Sequence, residues 1–299
     1  MTIIPETGNF VMSSLLEEGD PLPYVVKNPE GKGKFLIVCD HASHNVPQKL
    51  NNLGLSEQDL QIHHMTWDVG TRKVAEYLSD ILDSPTILAN YSRLVIDLNR
   101  RTNHPTSISP YTDNESPVPG NLSLSPEDRL VRIKEIYTPY HQKIEAMREE
   151  FFSRDIIPAF ISIHSFVPRF YKQIRPWEIG VLWRQDGRLP LPTIEYFKKQ
   201  GFVVGDNEPY DARLLRGTTV DSHADSFGLP NILVEIRNDL IQTDEQCQAW
   251  AQRLGDCYKE ITQDERIFSC YDGPQAVHDP DQENRYFEEL NEKAKRGDL

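Results

Sequence analysis

Apolar and polar positions repeat along this chain in two periods, and the changes of period mark out strands and helices. Short runs rich in branched and aromatic residues read as strands at 35–39, near 86–90 and 94–98, and at 158–163, 178–184, 202–204 and 231–236. Val74, Ala75, Leu78, Ile81 and Leu82 recur at helical spacing and predict a helix from Asp68 to Leu82. A long helix is predicted from Pro126, with Ser125 as its cap, to near Phe152. Further helices are predicted at 190–200 and about 243–263. Residues 1–34 read as an irregular lead-in, 101–125 as a long loop dense in Ser, Thr, Pro and Asn, and the tail after Gly273 as polar with a short helix. Neither an internal repeat nor a linker divides the sequence. The expected organisation is a single α/β domain over 1–299.

Chemistry gathers where the predicted strands end. Phe35–His41 and Ala159–His164 are apolar runs that stop on a histidine, and Ile232–Arg237 delivers Glu235 and Arg237 in the same way. In open α/β sheets, ligands bind beyond the carboxyl ends of strands, so these residues outline a metal or general-base site. Asp40 or a backbone carbonyl would orient a ligating ring. Asp68 reads equally as a third metal ligand and as the N-cap of the helix that follows it. His44, three residues beyond His41, suits either a ligand or a loop histidine contacting substrate, and one of His63 and His64 could face the site. Arg237, two residues beyond Glu235 on the same face, would bind substrate or hold Glu235. His223 reads as a carbonyl-polarising group or an exposed loop residue.

Composition narrows the function classes. Of 299 residues, 38% are hydrophobic and 37 are Gly or Pro (16 and 21), as in a loop-rich globular protein. No apolar stretch approaches the roughly 20 residues of a membrane span. The N-terminus lacks the pattern of a secretory leader, and the four cysteines show no Cys-x-x-Cys spacing, so cytoplasmic residence is expected. A formal charge of −14 without basic runs argues against a nucleic-acid partner. An acidic protein that binds an anion needs local cations, and Ser92–Arg101 supplies them in Arg93, Arg100 and Arg101, with Asn99 as a neutral donor. On a strand, Arg93, Asp97 and Asn99 would share one face, and Arg93 with Asp97 would equally make a structural pair.

Seven stretches occur in order from about residue 35 to 241: Cys39-Asp-His41-Ala-Ser, Trp67-Asp68-Val-Gly, Ser92 to Arg100, Ser162-Ile-His164-Ser-Phe, Arg175-Pro-Trp177, Gly205 to Tyr210, and Val234-Glu235-Ile-Arg-Asn-Asp239-Leu. Together they resemble the N-formylglutamate amidohydrolase family, within the broader group of zinc-peptidase-like hydrolases. The resemblance implies a three-layer α/β/α fold with a central mixed sheet. It implies zinc-dependent hydrolysis of the linear amide of N-formyl-L-glutamate, a small anionic acyl amino acid, to formate and L-glutamate, a step of histidine breakdown. By similarity His41 and His164 are metal ligands for one ion per chain, Zn²⁺ or another divalent metal, Asn99-Arg100 holds a substrate carboxylate, and Glu235 is the catalytic acid–base; read from the residues themselves, Arg93, Arg237 and His223 are further candidate substrate contacts. The His-x-x-Glu spacing of the broader group becomes His41-x-x-His44 here, leaving Asp68 or His44 as third ligand. Asp68 is preferred, in the manner of zinc-dependent muramoyl-alanine amidases. The competing expectations are an amidase or carboxypeptidase-like enzyme acting on a peptide or cell-wall amide, and a non-catalytic relative that binds acidic amino acids.

Overall fold

The computed structural model describes residues 14–62, 64–112, 115–274 and 280–297. Its strands are β1 (Tyr24–Lys27), β2 (Phe35–Cys39), β3 (Thr86–Ala89), β4 (Ala159–Phe166), β5 (Arg169–Phe170), β6 (Gln173–Ile174), β7 (Ile179–Leu182), β8 (Val204–Asp206) and β9 (Asn231–Arg237). The main sheet has the order β1-β3-β2-β4-β9-β7-β8, and β5 and β6 form a separate hairpin. β1 runs antiparallel to β3, and β7 to β9, while the other pairs of the main sheet are parallel, so the sheet is mixed.

Alternation along the central strands divides their side chains between two cores. Phe35, Ile37, Cys39, Ile161, Ile163, Ile232, Val234 and Ile236 pack with residues of α2 (Thr71–Ile81), α5 (Pro190–Lys199) and α7 (Asp244–Ile261). Leu36, Val38, Phe160 and Leu233 join Tyr140, Ile144, Met147 and Phe151 of α4 (Thr138–Ser153) on the other face. The result is the three-layer α/β/α arrangement with a central mixed sheet. α7 shows how the outer layers form: Thr243 and Gln246 make a reciprocal capping box, and Cys247, Trp250, Ala251, Leu254 and Tyr258 bury one stripe. At about 1.5–3 kcal/mol for each large side chain removed from water, that stripe outweighs helix propensity.

The predicted helix over 126–152 is continuous but changes gauge. It comprises α3 (Pro126–Arg132), capped by Ser125, a π-helical turn at Ile133–Tyr137, and α4. Pro139 lies just beyond that turn and has no N–H to give the α-helical ladder. The wider turn, with Thr138 N–H donating to the Ile133 carbonyl five residues back, accommodates it.

Four expectations are corrected. Residues 94–98 are not a strand, and Arg93, Asp97 and Asn99 therefore do not share a strand face. Leu94, Val95, Ile96 and Leu98 are buried, but turn hydrogen bonds from Val95 N to Ser92 O (2.9 Å) and from Arg100 N to Asp97 O (3.3 Å) take up the backbone. The open edge of β3 is already filled by β1, which lies within the predicted irregular lead-in. The helix predicted from Asp68 begins at Thr71 instead, with Gly70 as its cap at φ 85°. A Cβ on Gly70 would lie 2.1 Å from the Ile241 carbonyl, so that turn requires glycine. The polar tail carries α8 (Pro280–Arg296), far longer than a short helix. Two short helices were also unforeseen, α1 (Glu57–Ile62) and α6 (Thr219–His223). Among the described residues, no helix is long and apolar enough to cross a membrane.

Candidate metal centre

His164 lies near the carboxyl end of β4, His41 two residues beyond β2, and Asp68 in the turn before α2. The Asp68 N–H donates to the His41 carbonyl at 2.9 Å, which ties the two loops together. Because Gly70 serves as the cap, the Asp68 side chain is released from capping and turns inward. Its Oδ2 lies 2.9 Å from His164 Nδ1 and 3.4 Å from His41 Nδ1, and accepts from the Ser165 N–H at 3.2 Å. The two imidazole rings stand 4.9 Å apart at 74°. One ligand atom from each of His41, Asp68 and His164 falls within 4.8 Å of the others, and all three residues are buried.

Each ring is held from behind by a carboxylate. His41 Nε2 lies 2.8 Å from Asp97 Oδ1, and His164 Nε2 lies 3.2 Å from Asp40 Oδ2 and 3.1 Å from Ser162 Oγ. Asp40 is in turn fixed by donation from Tyr140 Oη (2.8 Å) and Thr219 Oγ1 (2.9 Å). Metal-bound imidazoles characteristically give their second nitrogen to such a partner. The electrostatics fit a cation as well. Burial opposes ionisation of Asp40, Asp68 and Asp97, yet the neighbouring imidazoles, and Arg93 in the case of Asp97, hold all three below the usual carboxylate range. Burial alone would lower the His164 pKa, but hydrogen bonds to Asp40 and Asp68 push it up to about 10. Arg93, 3.0 Å from Asp97 and 3.7 Å from Asp68, offsets only one of these three negative charges. His41 Nδ1 is buried without a hydrogen-bond partner, as an atom that ligates a metal would be. The residues present therefore fit a metal ion.

Glu235 completes the group. It stands directly opposite His164 in the β4–β9 register, on the same sheet face, with Oε2 buried and unpartnered. Burial raises its pKa to about 7, Asp68 adding to the effect and His164 and Arg175 opposing it. Gly180 faces it across the β7–β9 ladder; a Cβ there would meet the Glu208 carbonyl at 2.1 Å and Glu235 Cβ at 3.2 Å. The Glu208 backbone thus approaches the strand that faces Glu235.

The other sequence candidates divide. His44 is half-buried with its ring 5.0 Å from Trp67 and is not part of the three-residue group. His63 lies outside the described residues, and His64 is not part of the group. Asn99 follows the Asp97 turn; its N–H donates to Asp97 Oδ1 (2.9 Å), and its Oδ1 accepts from the Thr219 N–H (2.9 Å). Arg100 is near enough for its charge to help hold the Asp97 carboxyl down. Arg237 is engaged by Asp239 (2.8 Å) and the Pro176 carbonyl (3.3 Å). His223 is buried rather than an exposed loop residue, and its Nε2 lies 2.8 Å from His141 Nδ1 with the rings stacked. Sequence reasoning missed the Asp97–His41 contact and assigned Arg175 no role; the only signal for the first was Asp97 itself, four residues after Arg93.

The histidine pair has a consequence for stability. Burial first, then the neighbouring His141 and Arg148, push the His223 pKa down to about 3. Below the ordinary value of about 6.5 the unfolded chain binds a proton that the folded chain refuses, so stability is present above that value and lost as pH falls toward 3. Between pH 7 and pH 5 this contributes a loss of about 2 kcal/mol. Urea unfolding at both pH values should show His223→Gln losing less stability than the parent; an equal loss would contradict the assignment.

A family model described as N-formylglutamate amidohydrolase matches residues 33–242. Among solved structures, the gene product Atu2144 from Agrobacterium tumefaciens is 31% identical, with a TM-score of 0.80, 84% of this chain and 99% of that one being covered. The N-formylglutamate amidohydrolase from Ralstonia eutropha JMP134 is 18% identical, with a TM-score of 0.65 over 82% of this chain and 99% of that one, a likeness of fold. No curated protein matches the chain. With the family match spanning most of the chain, and with a relative of nearly its whole length above 30% identity, the chain belongs to the N-formylglutamate amidohydrolase family, a family of hydrolases.

Proposed function

We propose that the protein hydrolyses the formyl amide of N-formyl-L-glutamate, releasing formate and L-glutamate, with one zinc ion held by His41, Asp68 and His164. The observation that carries this reading is the union of those three donors with Glu235, which faces His164 across the β4–β9 ladder with an unpartnered carboxyl oxygen. Zinc suits two imidazole nitrogens and a carboxylate, and bound there it supplies Lewis acidity that lowers the pKa of water and polarises the amide carbonyl.

The chain's own groups do the remainder. Asp97 and Asp40 anchor the Nε2 atoms of His41 and His164 and so orient their rings toward Asp68. Glu235, with a pKa raised to about 7, is suited to take a proton from the attacking water as the carbon–oxygen bond forms. It then gives that proton to the amine nitrogen as the carbon–nitrogen bond breaks. Asn99 and Arg100, two and three residues beyond Asp97, would grip a substrate carboxylate, which an arginine does with two parallel hydrogen bonds. Arg93 serves as a positioning residue, holding Asp97 and Asp68.

The test measures release of the free amine by the zinc-loaded protein from N-formyl-L-glutamate, N-acetyl-L-glutamate, an N-formyl dipeptide and a muramoyl peptide, with elemental analysis of the same sample. The expected result is about one zinc per chain and the highest kcat/KM on N-formyl-L-glutamate. Cleavage of the muramoyl peptide alone would replace this reading with that of a cell-wall amidase. No turnover by fully loaded protein would end it.

A further inference from the structure

Arg175 is only 1% exposed, yet its Nε and Nη2 have no hydrogen-bond partner. Burying a charged group with unused donors is expensive, and native proteins rarely leave it so without a ligand. The residue follows β6, and its backbone N–H is pinned to the Pro168 carbonyl at 2.9 Å. Its guanidinium carbon lies 4.7 Å from the ring centre of Phe170, 5.1 Å from Tyr210 and 6.0 Å from Phe166, and Nη1 donates to Tyr210 Oη at 3.3 Å. The aromatic rings and the Tyr210 hydroxyl hold the group in place and leave the Nε–Nη2 edge unused. That edge carries the two parallel donors that match a carboxylate.

The position is the right one. Phe166 is two residues beyond His164 on β4, so it lies on the same sheet face as His164 and Glu235. The charge of Arg175 acts on both Glu235 and Glu208, yet neither carboxylate accepts from its free edge. Arg93 and Arg237, by contrast, already hold carboxylates of the chain. Unpartnered polar atoms thus gather along this edge of the sheet: a nitrogen of His41, an oxygen of Glu235 and two nitrogens of Arg175.

We infer that Arg175 binds a substrate carboxylate through its Nε–Nη2 edge and thereby sets the preference of the site for acidic acyl amino acids. The inference rests on the proposed hydrolysis of an N-acyl amino acid. The experiment compares kcat/KM for N-formyl-L-glutamate, N-formyl-L-glutamine and the α-amide of N-formyl-L-glutamate in the parent, Arg175→Gln and Arg175→Lys. The parent should prefer the diacid over at least one neutralised analogue by about 10²-fold or more. Arg175→Gln should lose about that factor on the diacid, mainly through KM, and little on the analogue lacking the carboxylate that Arg175 holds. Arg175→Lys, which keeps a cation among the rings, should fall between them. A parent without preference, or a loss equal on all three substrates, would overturn the inference while the proposed hydrolysis stands. Should Arg175→Gln fail to fold, the parent preference and the lysine variant decide in the same way. A zinc-loaded parent that turns over none of the three would overturn the proposed hydrolysis itself.

Discussion

Glu235→Gln is expected to lower kcat by about 10²–10⁴-fold while leaving the metal in place. The glutamine has nearly the same shape but cannot accept the proton of the attacking water. Glu235 is not one of the three clustered donors, so zinc content by elemental analysis should stay at the parent level. Thermal unfolding should move little or upward, because a buried carboxylate with an unpartnered oxygen is replaced by a neutral amide. Near-parental turnover by this variant would remove Glu235 from the chemistry and shift attention to another base.

The second large effect is expected at Asp68. Asp68→Ala removes the acceptor of the Ser165 N–H, the partner of His164 Nδ1 and one of the charges facing Arg93. Breaking a buried charge network from one side costs about 3–5 kcal/mol. Zinc per chain and activity should both collapse, with the residual fold measured by denaturant unfolding. His44→Ala is the control that separates the two candidates for the third ligand. With its ring against Trp67 and outside the donor group, that variant should keep its zinc. Retention of zinc by Asp68→Ala and loss by His44→Ala would reverse the assignment.

How legible each residue was depended on whether its neighbours are close in sequence. β2, β4 and β9 announced themselves because each is an apolar run that stops on a polar group, but that His164 and Glu235 share a face depends on the β4–β9 register, which the structure supplies. Asp68 was ambiguous because Asp at the start of a helical period reads as a cap; the left-handed Gly70, forced by the close approach of Ile241, took that task instead. The run 94–98 misled because an apolar pattern reports burial, and burial does not require a ladder. That error hid the reach of Asp97 to His41. α8 was underestimated because its sequence is mostly charged. It docks through scattered contacts, such as the Asp211 N–H on Tyr286 Oη (2.8 Å) and the Lys172 N–H on the Ala294 carbonyl (3.0 Å). The setting of Arg175 was beyond sequence reasoning, since Phe166, Phe170 and Tyr210 reach it from separate segments.

The division of the sheet into two faces also limits how this chain can drift. Inserting one residue between Ile232 and Glu235 would leave β9 able to pair with β4, since backbone hydrogen bonds do not distinguish side chains. It would nevertheless swing the carboxylate into the layer of α2 and α7 and set an aliphatic side chain opposite His164. Such a lineage would keep its architecture and lose its chemistry in one step. Length variation compatible with activity is therefore confined to the connections between strands, or to paired changes within them, by parity rather than by the nature of the residues.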